Sequence, residues 1–233
     1  MTKARGSRSP KPPARRKGSP PAPLGDPLEP LRTKRWLSEA QRKAIHMGSI
    51  LVPLGLLYQW LPWPRGKVEW RWFLLSLTLI AMAIDVVRIH DRRIGRYFRQ
   101  FFGRLIREHE RANLLGSTYL LIAALLAVEI FPRPIAAAAL GFTILGDAMA
   151  ALVGKAYGRR RLFGKTLEGS AAGLAACLLW AAFLAAAGWV AWPVAVAGAL
   201  VASLIELLPI PLDDNLGMTL FAGYTMKLLG ALG

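Results

Sequence analysis

The chain has 233 residues, 54% of them hydrophobic, with a formal net charge of +16 and a mean hydropathy of +0.36. Soluble basic proteins that bind nucleic acid rarely carry so much apolar residue, and here it falls in runs long enough to cross ~30 Å of hydrocarbon, which takes about 20 residues. The charge therefore reads as membrane orientation and attraction to a lipid surface, with no nucleic acid as partner. The single cysteine, Cys177, lies in an apolar run, which excludes a disulfide framework and offers no metal-ligand cluster.

In chain order, residues 1–35 hold eight of the sixteen prolines and are strongly basic. That composition cannot bury a core, so it predicts a disordered tail. The tail also lacks the apolar stretch and cleavage-type end of a signal peptide. Residues 36–233 read as one all-α domain, a polytopic helical bundle in the membrane. Seven spans can be drawn, at about 45–61, 70–88, 114–131, 134–153, 169–188, 191–208 and 216–232.

With the N-terminus in the cytoplasm, segments 1–46, 88–111 and 154–168 hold 25 of the 30 Lys and Arg residues. Positive charge collects on the cytoplasmic side of membrane proteins, so the asymmetry sets the orientation and predicts a multi-pass protein of the cytoplasmic membrane. Tryptophans agree. Trp60, Trp63, Trp70 and Trp72 flank one outer turn, and Trp189 and Trp192 flank another, as an interfacial belt does. Residues 92–111 carry Ile94, Phe98, Phe101, Phe102 and Leu105 at helical spacing among arginines. This is the pattern of an amphipathic helix on the inner leaflet, where it could also gate lipid access.

The strongly polar motifs all fall on the cytoplasmic side of this topology. Segment 146–170, GDAMAALVGKAYGRRRLFGKTLEGS, sets Asp147, two lysines, three arginines and five glycines between apolar helices. An ionisable group at bilayer depth costs roughly 2.5–3.5 kcal/mol or more, so an acid inside a span asks for a function. Phosphate needs cations and close backbone approach, which glycine permits, and the start of the next helix offers free N–H groups and a positive dipole end. A carboxylate in that setting suits Mg²⁺, which takes one or two carboxylates together with phosphate oxygens. The plainer alternative is a positive-inside loop with turn glycines and a buried Asp–Lys pair. No Walker loop is present, since G-x-x-x-x-G-K-[ST] in its strand context is absent.

Asp213-Asp214-Asn215, with Glu206 above it, precedes the last span. These residues read either as helix caps or as a second carboxylate cluster facing the lysine-rich loop. Arg42, Lys43 and His46 read as a basic membrane flank. Asp85, with Arg88 one turn on, reads as a structural ion pair or as a lining residue of the cavity.

Taken together, Gly146-Asp147-x-x-Ala150…Gly154…Gly158…Lys165-Thr166-x-Glu168-Gly169-Ser170 resembles the nucleotide-binding signature of the dolichol kinase, phytol kinase and CTP-dependent diacylglycerol kinase family. Three further pieces match in order: Arg42-Lys43-x-x-His46, Glu110-Arg111-x-x-x-x-Gly116-x-Thr118-Tyr119, and Asp213-Asp214-Asn215. They cover about residues 42–220. The resemblance implies a multi-pass kinase that moves the γ-phosphate of CTP onto a lipid alcohol, with the nucleotide on segment 146–170. One departure stands out. Many members carry a proline shortly after the Asp-Asp-Asn run, where this chain has Leu216-Gly217-Met218-Thr219.

The expectation is a Mg²⁺-dependent lipid-alcohol kinase using CTP, acting on a polyprenol, a phytol-like alcohol or diacylglycerol. Phosphoryl transfer asks a protein mainly for positioning and charge neutralisation. Lys155, Lys165 and Arg159 would hold phosphates, with Thr166, Gly169 and Ser170 at the helix start. Gly146, Gly154, Gly158, Glu168, Arg42, Lys43 and His46 complete the expected nucleotide site. Asp147, Lys165 and Asp214 would carry the chemistry, and Asp147, Asp214 and Asn215 would hold the metal. The rival readings are a CTP:phosphatidate cytidylyltransferase and a non-catalytic lipid or anion transporter.

Overall fold

The structure, a computed structural model, describes residues 29–231 apart from Arg104 and Arg107, so residues 1–28 of the expected tail lie outside the described residues. Helix α1 spans Glu29–Gly48, which brings residues 29–35 into a helix ahead of the boundary drawn at residue 36. After a turn at Ser49 and Ile50 comes α2, Leu51–Tyr58. The expected first span, 45–61, is therefore interrupted, and Pro53 explains the break. It has no N–H for the carbonyl of residue 49, and its ring crowds that turn. The chain tightens instead, with Ser49 N–H bonded to His46 O and Val52 N–H to Ser49 O. At eight residues, α2 is about 12 Å long, too short to cross a bilayer unaided.

Helix α3 is Lys67–His90, and α4 is Arg92–Phe102. Asp91 starts α4 by accepting from the Arg93 and Ile94 N–H groups. It exposes Ile94, Tyr97, Phe101 and Phe102, as an interfacial helix should. It ends at Phe102, however, and does not run on to residue 111. A short 3-10 turn, His109–Arg111, leads to α5 (Gly116–Ile130), followed by α6 (Arg133–Tyr157), α7 (Leu167–Ala186), α8 (Trp192–Leu207) and α9 (Asp214–Ala231). α6 and α8 each carry proline in the first turn, where its missing N–H forfeits no helical bond. Past the end of α7, Gly188 takes φ +72° and lets Trp189 N–H reach Leu184 O, a left-handed helix stop that suits glycine.

α6 is the central helix, and α1, α2, α5, α7, α8 and α9 all pack on it. Of its apolar stretch 67% is buried inside the bundle, against 22% for α3. The contact faces use small residues: Ala136–Ala139 on α6, and Ala195, Ala199 and Ala202 on α8, are fully buried. Small side chains let backbones approach closely, which is how helices associate where lipid removes the hydrophobic drive. The Thr143 and Thr219 hydroxyls bond at 2.8 Å and tie α6 to α9.

The outer surface is apolar. Leu79, Ile80 and Val86 on α3, Leu179 on α7 and Leu228 on α9 are all exposed. α3, α6 and α7 are long and apolar enough to cross a membrane, while α5 and α8 are apolar but shorter. So extended an apolar surface needs cover, and a bilayer supplies it. The molecule is a helical bundle suited to a membrane. One end carries Trp60, Trp63, Trp72 and Trp192, all exposed; the other holds the charged segments.

Candidate active site

At the charged end the chain between α6 and α7 folds into a hairpin, β1 (Arg161–Leu162) against β2 (Lys165–Thr166). Its turn residues, Phe163 at φ 51° and Gly164 at φ 86°, are both left-handed, the twist a two-residue hairpin turn demands. Glycine accepts that geometry freely and Phe163 does not. Thr166 then caps α7, its Oγ1 accepting from Gly169 N–H at 3.2 Å. The Glu168 carboxylate accepts from the Arg159 and Arg160 N–H groups at 3.0 and 3.2 Å. The hairpin base is thereby closed, and Lys165 is carried inward.

A cavity of about 780 Å³ opens beside this hairpin. Its walls come from α1 (Trp36, Glu39, Arg42), from α6 (Asp147, Gly154, Lys155), from the hairpin (Arg161, Lys165, Thr166) and from Ser170, Glu206 and Asp214. Leu105 and Ile106, just past α4, add an apolar edge. Four segments far apart in sequence thus share one polar chamber.

Its charges form three groups. Glu39 accepts from both Arg42 and Lys155. Burial alone would raise the Glu39 carboxyl, but these two cations overcome it and hold it at about 2. Lys43 donates to Asp147, and His46 Nε2 lies 3.6 Å from the same carboxylate. Lys165 donates to Asp214 at 3.0 Å, lies 3.2 Å from a Glu206 carboxylate oxygen and donates to the Glu206 carbonyl. Ser170 Oγ donates to Glu206 at 3.1 Å.

Of the expected site residues, Asp147, Lys165, Asp214, Arg42, Gly154, Lys155, Gly158, Thr166 and Ser170 all line this cavity. Lys43, His46, Gly146, Arg159, Glu168, Gly169 and Asn215 do not. Lys43 and His46 stand behind Asp147. Gly146 and Gly169 are helix-packing positions: a Cβ on Gly146 would meet Cys177 Sγ at 2.7 Å, and one on Gly169 would meet Ala150 O at 2.6 Å. Close approach of α6 to α7, not of a phosphate, accounts for those two glycines.

The Asp213-Asp214-Asn215 run divides. Asp213 caps α9, accepting from Asn215 N–H and Nδ2 at 2.9 Å each. Burial pushes the Asp213 carboxyl up, and the Asp214 and Asp147 charges act in the same direction. Asp214 alone of the three faces the cavity. Asn215 Nδ2 also donates to Gly116 O at 3.3 Å, while Glu110 Oε1 accepts from Gly116 N–H at 3.0 Å.

The Glu110…Thr118 motif is likewise a clamp. Arg88 donates to Asp85 at 2.6 Å and to the Glu110 carbonyl at 2.9 Å, and Asp85 accepts from Thr118 Oγ1 at 2.7 Å. Asp85 and Arg88 are the structural pair their spacing implied.

Glu39, Trp36 and Arg161 were missed as site residues. Glu39 had a signal, since it lies three residues before Arg42 on one helix face. The helix begins at Glu29, well ahead of its apolar stretch, which hid the signal.

A hard cation is the one metal these donors fit, because the cavity offers carboxylate oxygens on two sides. Among the described residues no three His, Cys, Asp or Glu side chains gather into a dedicated metal cage. Mg²⁺ asks for less, one or two carboxylates completed by phosphate oxygens.

No family model matches the chain. No solved structure matches it with significance. An uncharacterized protein of Rickettsia prowazekii (strain Madrid E) is 27% identical over 143 residues, 60% of this chain and 67% of the relative. The likeness carries no activity with it.

Proposed function

We propose that the protein is a multi-pass lipid-alcohol kinase of the cytoplasmic membrane, moving the γ-phosphate of CTP onto the hydroxyl of a polyprenol, phytol-like alcohol or diacylglycerol. The observation that carries the reading is the charged-end cavity, where Asp147 and Asp214 face Lys155, Lys165, Arg42 and Arg161 beside the start of α7. In this reading the chain crosses seven times, the last turn of α1 and α2 together making the first crossing, with the N-terminus and the cavity cytoplasmic.

Lys165 and Lys155 bind the phosphate chain, exchanging their carboxylate partners for phosphate oxygens. The positive dipole end of α7 adds to their field. Asp147 and Asp214 are the residues to hold Mg²⁺, which supplies charge neutralisation on the phosphates. Freed from Lys165, Asp214 is available for that role. Asp147, paired with Lys43, is placed to orient the lipid hydroxyl. The alcohol enters along the apolar edge formed by Trp36, Leu105 and Ile106, which lies at the level of α4. Positioning and charge account for most of the catalysis such a transfer needs.

The test is the fate of label from CTP in membranes holding the protein. γ-Label in the lipid product establishes the kinase. α-Label in lipid with release of pyrophosphate makes it a cytidylyltransferase instead. No product from either, with the protein folded, leaves a transporter or scaffold.

A further inference from the structure

A second cavity, of about 290 Å³, lies at the tryptophan-rich end. Its floor is apolar, with Leu56, Val128 and Phe131, while Arg65, Lys67 and Arg133 stand around it. At the charged end Arg42, Lys155 and Lys165 are matched by carboxylates. Here, among the described residues, none of the three cations meets one. Lys67 Nζ donates to the Glu129 carbonyl at 2.8 Å, Arg65 Nε to the Leu61 carbonyl at 3.3 Å, and Arg133 stacks on Trp189 at 5.9 Å. The nearby acids are engaged elsewhere. Glu69 accepts from the Arg65 and Gly66 N–H groups, and Glu129 pairs with Arg71.

Two long helices also begin at this cavity, α3 after Gly66 and α6 after Pro132, and no side chain caps the start of α6. Glu69 already meets the start of α3, so the uncapped start of α6 is the positive end that adds to the three cations. Trp70 forms part of the wall; it is 2% exposed, and its Nε1 has no hydrogen-bond partner among the described residues. The cavity is therefore apolar within and ringed by cations at its rim. In the orientation above, these cations are also retained on the side of the membrane where Lys and Arg are scarce.

We propose that this cavity binds the phosphate of an anionic phospholipid headgroup. The rim cations and the start of α6 hold the phosphate, and the apolar floor takes the adjoining part of the lipid. The volume is at the lower end of small-molecule sites, roughly 300–1,000 Å³, enough for a headgroup with a stub of chain. The remaining chain lies in the bilayer against the exposed face of α3. A free phosphate would leave the apolar floor uncovered, whereas a phosphodiester joined to a tail covers it. The inference rests on the membrane setting and not on the kinase reading.

Gly66 provides the cleanest test. A Cβ there meets nothing within 4 Å, and its φ of −86° suits any residue. Asp is a favoured helix N-cap, so Gly66→Asp adds a carboxylate at the cavity mouth while supporting α3. The full chain is equilibrated in micelles holding equal phosphatidylglycerol and phosphatidylcholine, and retained lipids are counted by native mass spectrometry. The parent is expected to keep phosphatidylglycerol over phosphatidylcholine by about tenfold. Gly66→Asp should lose the preference with an unchanged melting temperature, and Arg65→Gln/Arg133→Gln should lose it as well. Arg92→Gln/Arg93→Gln on α4 should keep it. Equal retention by the parent, or a preference that survives both cavity variants, overturns the proposal. So does a preference lost in the α4 variant, or displacement of phosphatidylglycerol by millimolar inorganic phosphate.

Discussion

Lys43 on α1 and Asp147 on α6, 104 positions apart in the chain, form an ion pair that joins the first helix to the central one. Lys43 is 2% exposed. Asp147 is therefore an acid with two duties, holding α1 against α6 and presenting a carboxylate to the cavity.

Those duties separate in a double-mutant series. Asp147→Asn leaves the Lys43 ammonium buried without this carboxylate, and breaking a buried pair on one side typically costs about 3–5 kcal/mol. Lys43→Met/Asp147→Asn removes both charges and should melt well above the single variant in detergent. If Asp147 serves phosphoryl transfer, both proteins should lose turnover by at least ~10²-fold, on the order of 2.7 kcal/mol in the barrier. A double variant that regains stability and near-parental turnover would make Asp147 purely structural.

The glycines of α6 and α7 yield a packing prediction. Gly146→Ala drives a methyl against Cys177 Sγ at 2.7 Å, an overpacking cost of about 1–3 kcal/mol. Cys177→Ala removes that sulfur and should restore much of the loss in the double variant. Gly169→Ala meets backbone, Ala150 O at 2.6 Å, and no side-chain change relieves it. Thermal melts of the four proteins check this order. Equal, mild effects at both glycines would argue against helix packing as their reason.

Six of the seven apolar runs were readable because each is a helix with polar ends, and the structure agrees to within a few residues. The first was misread because Pro53 lies inside an otherwise unbroken apolar stretch, where composition outvoted a single missing N–H. Site residues on helix faces, such as Asp147 and Lys155, could be seen from spacing and charge alone. Which glycines pack helices and which line a cavity could not, because that depends on what α7 presents to α6. Glu39 was hidden for a related reason: its partners Arg42 and Lys155 lie three and 116 residues away, and only the nearer one is visible in a helical pattern.

Glu39 also predicts a pH response. Its folded pKa, about 2, lies below the ordinary 4.5. A depressed acid contributes stability that is fully present above the unfolded value and is lost as pH falls toward the folded one. The parent should therefore lead Glu39→Gln in melting temperature at pH 6, and the lead should shrink between pH 4.5 and 2.5. Asp213, raised by burial, contributes with the opposite sign in both proteins and cancels in the comparison. A gap between parent and Glu39→Gln that stays constant across that window would show the pair to be energetically idle.

Orientation can be tested with single cysteines in the Cys177→Ala background. Residues placed at 159 in the hairpin region and at 212 before α9 should react only with reagents that reach the cytoplasm, because both lie at the charged end. Labelling of either from the opposite side would invert the topology and remove the cavity from the cytoplasmic nucleotide pool.

Lys165 gives the sharpest functional prediction. Its ammonium is anchored between Asp214 and the Glu206 carbonyl, and the hairpin that carries it is set by Gly164 at φ 86°. Lys165→Ala removes a cation that would bind phosphate in both ground and transition states, so the apparent KM for CTP should rise by about tenfold or more, while kcat falls less. Lys165→Arg keeps the charge but not the compact reach into the Asp214–Glu206 gap, and should recover only part of the affinity. Gly164→Val would force a branched residue into the left-handed region and displace Lys165 without altering its charge, so it should resemble Lys165→Ala in KM. Steady-state kinetics in mixed micelles, with CTP and lipid alcohol varied in turn, separate these effects. A Lys165→Ala protein with parental KM for CTP would remove the hairpin from nucleotide binding and leave Lys155 and Arg161 as the cations to examine.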